Sequence, residues 1–191
     1  MSEAIEILKS CDAFLEGHFL LSSGRHSSAY CQMAYLQQYP DRCAEAMKAV
    51  AEKIKEMDVD VIVGPAMGGI VYAYELARQT GKRAIFTERV DNVMTLKRFA
   101  IHPGEKCLIA EDVVTTGISS LETKRVIEEN GGICVAKMLD KTPSIICAFG
   151  LASAAPRSPY RHLELCGIAL TLTGTGFRYN KGLRGKTCRH I

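Results

Sequence analysis

The sequence predicts an α/β protein organised around a doubly wound, mostly parallel sheet with helices on both faces. Three observations carry that expectation. From Val59 to Leu139, short apolar runs alternate with stretches of helical periodicity. The runs, VDVIV at 59–63, RAIFT at 83–87, CLIA at 107–110 and ICVAKML at 133–139, are largely continuous rather than alternating, as strands buried on both faces are. The residues after these runs are rich in glycine, hydroxyls and charge, which places one polar crevice at the strand C-termini.

A chain of 191 residues suits one domain, able to bury roughly 70% of its unfolded surface without a metal or disulfide staple. Its eight cysteines, at 11, 31, 43, 107, 134, 147, 166 and 188, form no C-x-x-C pair, and several sit in apolar runs as small buried residues do. A reducing, cytoplasmic setting is expected. MSEAIEILKS has acids where a secretion signal has bases, and no apolar run reaches 18 residues, so no membrane role is expected. The net charge of +3 is too small to argue for a nucleic-acid partner, but it is unevenly spread. Residues 1–142 hold 17 Lys and Arg against 20 Asp and Glu, whereas residues 143–191 hold 7 against 1.

Taken in order, Ile5, Leu8, Cys11 and Leu15 recur at helical spacing and predict an amphipathic helix over 3–15, ended by Gly17. A short apolar run at 19–21 leads into SSGRHSSAY at 22–30, by composition a surface loop. Pro40 and Asp41 open a helix with Ala44, Met47, Val50, Ala51 and Ile54 on one face, ending near Met57. After the strand at 59–63, GPAMGG leaves the amides of Ala66, Met67, Gly68 and Gly69 bare before a helix over 70–79. Alone, such a turn reads equally as a tight strand-to-helix connection. Gly81 ends that helix. Residues 88–106 then form a long polar connection carrying Arg89, Lys97, Arg98, His102 and Lys106. Its length suggests a lid; the alternative is a β-hairpin flap with solvated charges.

The stretch from Cys107 to Ser120, CLIAEDVVTTGISS, is the chemical centre. An apolar strand ends in two adjacent carboxylates, Glu111 and Asp112, and Thr115, Thr116 and Gly117 then supply hydroxyls and free amides. Ser119 is placed to cap a helix over 119–130. A ribose 5-phosphate needs converging donors for its dianion and acceptors for its diol, and this stretch offers both. The plainer alternative is a strand ending in a polar loop with solvated acids.

This stretch resembles the phosphoribosyl pyrophosphate signature of type I phosphoribosyltransferases at all of its positions, with Glu111 where Asp is frequent. The resemblance implies that Glu111 and Asp112 hold the ribose hydroxyls while Val113, Val114, Thr115, Thr116, Gly117, Ile118 and Ser119 wrap the 5-phosphate. It implies that Ala66, Met67, Gly68 and Gly69 bind pyrophosphate, and that 88–106 is a catalytic loop shared across a homodimer. FLLSSGRHSSAY, residues 19–30, is similar to the hood segment of the orotate phosphoribosyltransferase family, whose backbone near Tyr30 and Cys31 reads the pyrimidine. The hood is then residues 1–36 and the core 37–142. Thr115 and Lys141 would complete the orotate site.

The chain departs from the family in places. Ser22 and Gly68 stand where many members carry a basic residue, Lys141 replaces an arginine, and MTLKR at 94–98 replaces a Lys-x-His triplet. Lys97 and Arg98, with Arg89 behind them, become the candidates for neutralising the leaving group, beside Asp112. Implied partners are phosphoribosyl pyrophosphate, orotate and Mg²⁺, the ion held mainly by pyrophosphate and ribose oxygens rather than by dedicated ligands. The alternatives are a purine or uracil enzyme, a non-catalytic sensor of phosphoribosyl pyrophosphate, and an enzyme damaged at its C-terminus. No helix-turn-helix supports the sensor.

From residue 143 the family pattern fades. Codon freedom at 182–190 permits a one-base shift that spells an ending resembling the family's C-terminal motif, so the tail is expected to be out of frame. The other reading is a divergent extension with Ile145 to Ala148 as a further strand. Sequencing the source DNA separates them, because a coding region in which no one-base shift restores a family-like ending would exclude the first.

Overall fold

The computed structural model describes residues 3–20, 26–113, 117–135, 145–147 and 189–190. Its centre is a six-stranded sheet built from β3 (Val61–Pro65), β4 (Arg83–Val90), β5 (Val93–Thr95), β6 (Lys106–Glu111), β7 (Ile133–Cys134) and β8 (Ile145–Cys147). The order is β5-β4-β3-β6-β7, with β8 also on β6. β3 pairs in parallel with β4 on one side and β6 on the other; only β5 runs antiparallel. β7 pairs with the start of β6 and β8 with its end, so the two share one edge position.

Strand periodicity explains why the apolar runs are continuous. Val61, Val63, Cys107 and Ile109 point to one face and pack with Ile85, Ile101 and Ile127. Ile62, Leu108 and Ala110 point to the other, into a larger core of helical side chains. That second face is covered by α3 (Pro40–Lys55) and α4 (Gly68–Thr80), with α1 (Glu3–Ser10) and α2 (Met33–Gln37) beyond. α5 (Ile118–Glu129) lies on the first face through Ile127. In α3, Pro40 sits in the first turn and Cys43, Ala46, Met47, Val50, Ala51 and Ile54 form the buried stripe. Gly81 closes α4 in the left-handed region at φ 69°, where glycine carries no Cβ penalty.

The doubly wound, mostly parallel architecture is as the sequence predicts; the N-terminal segment differs. The helix expected over 3–15 stops at Ser10, and β1 (Phe14–Leu20) follows. Asp12 adopts φ 53° and the Ala13 N–H returns to the Leu8 carbonyl, so the chain reverses where the periodicity suggested continuation. Part of the expected 22–30 loop is β2 (His26–Cys31), antiparallel to β1 across an irregularity between Glu16 and Phe19. β9 (Arg189–His190) adds to β1 in parallel.

The lid segment also resolves differently. β4 runs on to Val90, Asp91 and Asn92 turn at φ 50° and 64°, and β5 returns with Glu88 opposite Thr95. Two consecutive left-handed residues match the twist of a tight hairpin, so the flap alternative describes this stretch. Beyond it, Phe99 meets Phe86 edge-on at 4.9 Å and Ile101 is buried. The chain thereby returns to the far end of the sheet, where Lys106 pairs with Asp58, away from the strand C-termini.

α5 is fixed to this sheet by a buried contact between side chains. Thr87 of β4 and Thr123 of α5 are both fully buried, with hydroxyl oxygens 2.9 Å apart. Replacing one hydroxyl by a methyl strands the other without water. Thr87→Val or Thr123→Val alone should cost about 1–3 kcal/mol in urea unfolding, and the double replacement less than the sum of the two. Strict additivity would mean that the hydroxyls do not act as a pair.

Candidate functional site

β3 and β6 are neighbours, so the two segments leaving their C-terminal ends lie side by side. The glycine-rich segment after β3 is held down by backbone packing. A Cβ on Gly64 would lie 2.3 Å from the Gly69 carbonyl oxygen, and one on Gly69 would lie 2.7 Å from that of Ala110 in β6. No L side chain fits either position. The Ala66 N–H donates to the Thr87 carbonyl at 2.7 Å, tying the turn to β4.

Gly68 meets the acidic segment itself. A Cβ there would sit 2.1 Å from the Asp112 Oδ2, so the carboxylate lies directly against the first turn of α4. That helix begins at Gly68 with Met67 as N-cap and no side-chain cap, and Met67 is 84% exposed. First-turn amides and the positive end of a 13-residue helix therefore open beside a carboxylate. An anion with a neighbouring hydroxyl suits that pairing.

The two acids of the central motif do different things. Glu111 is buried, and Ser120 Oγ–H donates to its Oε2 at 2.7 Å. Burial pushes its carboxyl up to about 7; the Ser120 bond opposes that rise and the nearby Asp112 charge adds to it. Asp112 is half-buried and also raised by burial, against the pull of the Val113 N–H, which donates to its Oδ1 at 2.7 Å. Asp112, not Glu111, is the acid lying on the glycine-rich turn. Ser119 does not cap α5: Gly117 occupies the N-cap at φ 74° with no side-chain cap bond. Ile118 is exposed and Ser119 half-buried at that open end. Val114, Thr115, Thr116 and Lys141 lie outside the described residues, as does Ser22.

The hairpin presents its cations in two states. Arg89 forms an ion pair with Glu122 of α5 and donates through Nη1 to the Asn92 carbonyl at 3.0 Å. Arg98 Nε donates to Glu88 Oε1 at 2.8 Å. Lys97 is exposed and, among the described residues, forms no ion pair. In the hood strands, Tyr30 stacks at a tilt on Phe19, with 5.8 Å between ring centroids, and Cys31 is buried with its thiol pushed up to about 11. A thiol so raised is a poor nucleophile.

Gln37 was not visible as a site residue from its local sequence. Its Nε2 donates to the Gly68 carbonyl at 2.8 Å from 31 residues away, and nothing in MAYLQ signals that contact. Ser120 and Glu122 were likewise legible only as members of a helix. Among the described residues no group of three His, Cys, Asp or Glu side chains forms a metal cage, and no helix is long and apolar enough to cross a membrane.

The family described as phosphoribosyl transferase domain matches residues 33–141. Over 141 residues, covering 72% of this chain and 74% of the relative, the sequence is 46% identical to a curated orotate phosphoribosyltransferase of Caldicellulosiruptor saccharolyticus. The structure is similar to that of orotate phosphoribosyltransferase from Aeropyrum pernix, with TM-score 0.55 and 26% identity over 66% of this chain and 74% of that one. It also shares its fold with the Mycobacterium tuberculosis orotate phosphoribosyltransferase solved with inorganic phosphate, at TM-score 0.61, 19% identity, and coverage of 84% and 90%.

The raised Glu111 carboxyl has a measurable consequence. Its folded value of about 7 exceeds an unfolded value of roughly 4.3, so between these limits the folded chain binds this proton more tightly. Its stabilising contribution is complete below the unfolded value and is lost as pH rises toward 7. Glu111→Gln, which keeps an acceptor for Ser120 and never ionises, should therefore gain on the parent chain across that window, by on the order of 2–3 kcal/mol at pH 8. Parallel urea-midpoint profiles for the two from pH 5 to 8 would show that the carboxyl titrates as an ordinary glutamate.

Proposed function

The chain belongs to the phosphoribosyl transferase domain family, and from that membership we propose that it is an orotate phosphoribosyltransferase, a pentosyltransferase making orotidine 5′-monophosphate and pyrophosphate. The observation that carries this reading is the 46% identity to a curated enzyme of that name across most of both chains. The geometry supports it: open helix N-terminal amides for a diphosphate, a carboxylate for ribose hydroxyls, and a hairpin carrying cations.

The reaction is a displacement at the anomeric carbon. Orotate's ring N–H gives up its proton to water; the bond from that nitrogen to the anomeric carbon forms as the bond from carbon to pyrophosphate oxygen breaks, and the bonding pair leaves with the pyrophosphate. No covalent enzyme intermediate is required, so the protein's work is alignment and stabilisation of charge growing on the leaving group. Asp112 accepts from ribose hydroxyls, and the turn from Met67 to Gly69 donates backbone amides to the diphosphate; the Ala66 N–H, expected to be bare, is instead held by the Thr87 carbonyl. Lys97, with no carboxylate partner among the described residues, is the cation ready for the leaving group. Arg89 and Arg98 become available once they exchange Glu122 and Glu88 for phosphate oxygens.

Mg²⁺ belongs to this reading, and the donor set fits it. One half-buried carboxylate, Asp112, lies on the glycine-rich turn and offers a hard oxygen ligand to an ion held largely by substrate oxygens and water. When bound, it neutralises charge on the diphosphate. The reading also includes a homodimer sharing the hairpin loop, for which exposed Tyr35, Tyr39, Val71 and Tyr74 give apolar surface to bury against a second copy. A reducing cytoplasm is supported by free cysteines at 11, 31, 43, 107 and 134. A shifted frame for residues 143–191 is supported by the family match stopping at residue 141.

Incubating the purified chain with phosphoribosyl pyrophosphate, Mg²⁺ and orotate should consume orotate absorbance, while uracil and hypoxanthine run in parallel stay unchanged. Turnover of another base alone would reassign the substrate, and no turnover of any base would remove the activity. Within the active enzyme, Lys97→Ala should lower kcat by roughly 10- to 100-fold while KM for orotate moves little, because the lost interaction grows with leaving-group charge. An unchanged kcat would take Lys97 out of the chemistry.

A further inference from the structure

α2 is five residues long, too short to hold a helical shape unaided. Its position depends on what it touches. Met33 and Leu36 are buried in the core, and two side-chain bonds join it to the first turns of α4 in opposite directions. Tyr72 of α4 donates its hydroxyl to the Met33 carbonyl at 3.4 Å, and Gln37 at the other end of α2 donates Nε2 to the Gly68 carbonyl at 2.8 Å.

The second bond falls on an unusual peptide. The Gly68 carbonyl and the Gly69 N–H share one planar unit, so holding the oxygen fixes the direction of the N–H. That N–H belongs to the first turn of α4, where amides have no partner within the helix. Gly68 has no side chain to restrict its rotation, and a Cβ is excluded there by the Asp112 carboxylate at 2.1 Å. At the first position of α4 the Gly68 carbonyl can accept both from the helix's own N–H four residues on and from Gln37, so the glutamine adds a second hold, from outside the helix, on this peptide.

We propose that Gln37 is a positioning residue for the pyrophosphate-binding turn, aiming the Gly68–Gly69 peptide so that its amide converges on the diphosphate. This rests on the pyrophosphate role of that turn given above, and not on the identity of the base. Gln37 reaches no substrate itself and acts through Gly68. Gln79 supplies an internal comparison: it makes a like bond, Nε2 to the Ala44 carbonyl at 2.8 Å, at the far end of the same helix. Both glutamines brace α4, but only Gln37 braces the end that meets the ligand.

The test measures binding of Mg²⁺-pyrophosphate and of ribose 5-phosphate by calorimetry to the parent chain, Gln37→Met and Gln79→Met. Gln37→Met should weaken pyrophosphate about five- to tenfold, the worth of roughly one hydrogen bond. It should leave ribose 5-phosphate within twofold. Gln79→Met should change neither, even where its melting temperature falls. Unchanged pyrophosphate affinity in Gln37→Met, or equal weakening of both ligands, would overturn the proposal, the latter showing a merely structural residue. Gln37→Leu, which lacks the donor and adds no charge, should reproduce the selective loss; if neither variant folded, the positioning role would also fall. A parent chain that binds both anions yet turns over no base would sink the activity and leave this comparison intact. One that binds no pyrophosphate would sink the proposal.

Discussion

The close approach of the turn after β3 to the end of β6 governs the rest of the site. Gly69 packs on the Ala110 carbonyl and Gly68 on the Asp112 carboxylate, each at a distance that excludes a Cβ. That contact exists because β3 and β6 are adjacent and parallel, with Val61, Ile62 and Val63 opposite Cys107, Leu108 and Ile109. Parallel register brings the two C-termini level, and both strands are buried on both faces, so neither slips without moving apolar residues out of the core. The binding turn is therefore set by the sheet. Its precision comes from backbone packing more than from side-chain bonds.

The same neighbourhood sets the electrostatics. Glu111 and Asp112 are adjacent in sequence but go to different environments, one beneath α5 against Ser120, the other onto α4. Placing both carboxylates in one half-dry cleft would raise both by mutual repulsion. Sending Glu111 into a buried contact, where its carboxyl rises to about 7, lowers the negative charge beside the glycine-rich turn. Ser120 and Thr123, one turn apart on α5, fix the helix to β6 and β4.

The parallel core was legible because its signals are local: continuous apolar runs, a Pro40 start, a Gly81 stop, glycines after β3. The hood was less so. Leu8 on α1 and Cys11 just beyond its end are buried, but Leu15 satisfies the same spacing from within β1, after the chain has reversed at the left-handed Asp12. In the lid, charge and length suggested a loop, whereas the Asp91-Asn92 pair was the hairpin signal. Roles that depend on contacts between distant segments were not readable at all. Gln37 touching Gly68, Glu122 pairing with Arg89, and Glu111 turning away from its neighbour follow from tertiary packing, which no local pattern encodes.

Gly68 also decides where cationic help for the leaving group comes from. The carboxylate of Asp112 fills the space that a Cβ on Gly68 would take, so a side chain there would have to displace that acid. The turn is left with backbone donors alone, and full charges must arrive from the hairpin. There, Arg89 and Arg98 are held by Glu122 and Glu88 on partly exposed surface, where such pairs are worth little, roughly 0–1 kcal/mol. A phosphate group offers a guanidinium the same bidentate geometry as a carboxylate. Because Thr87 of β4 is level with Pro65 at the end of β3, a hairpin so weakly paired keeps its cations just beyond the C-terminal ends of the strands without fixing a full charge on the turn.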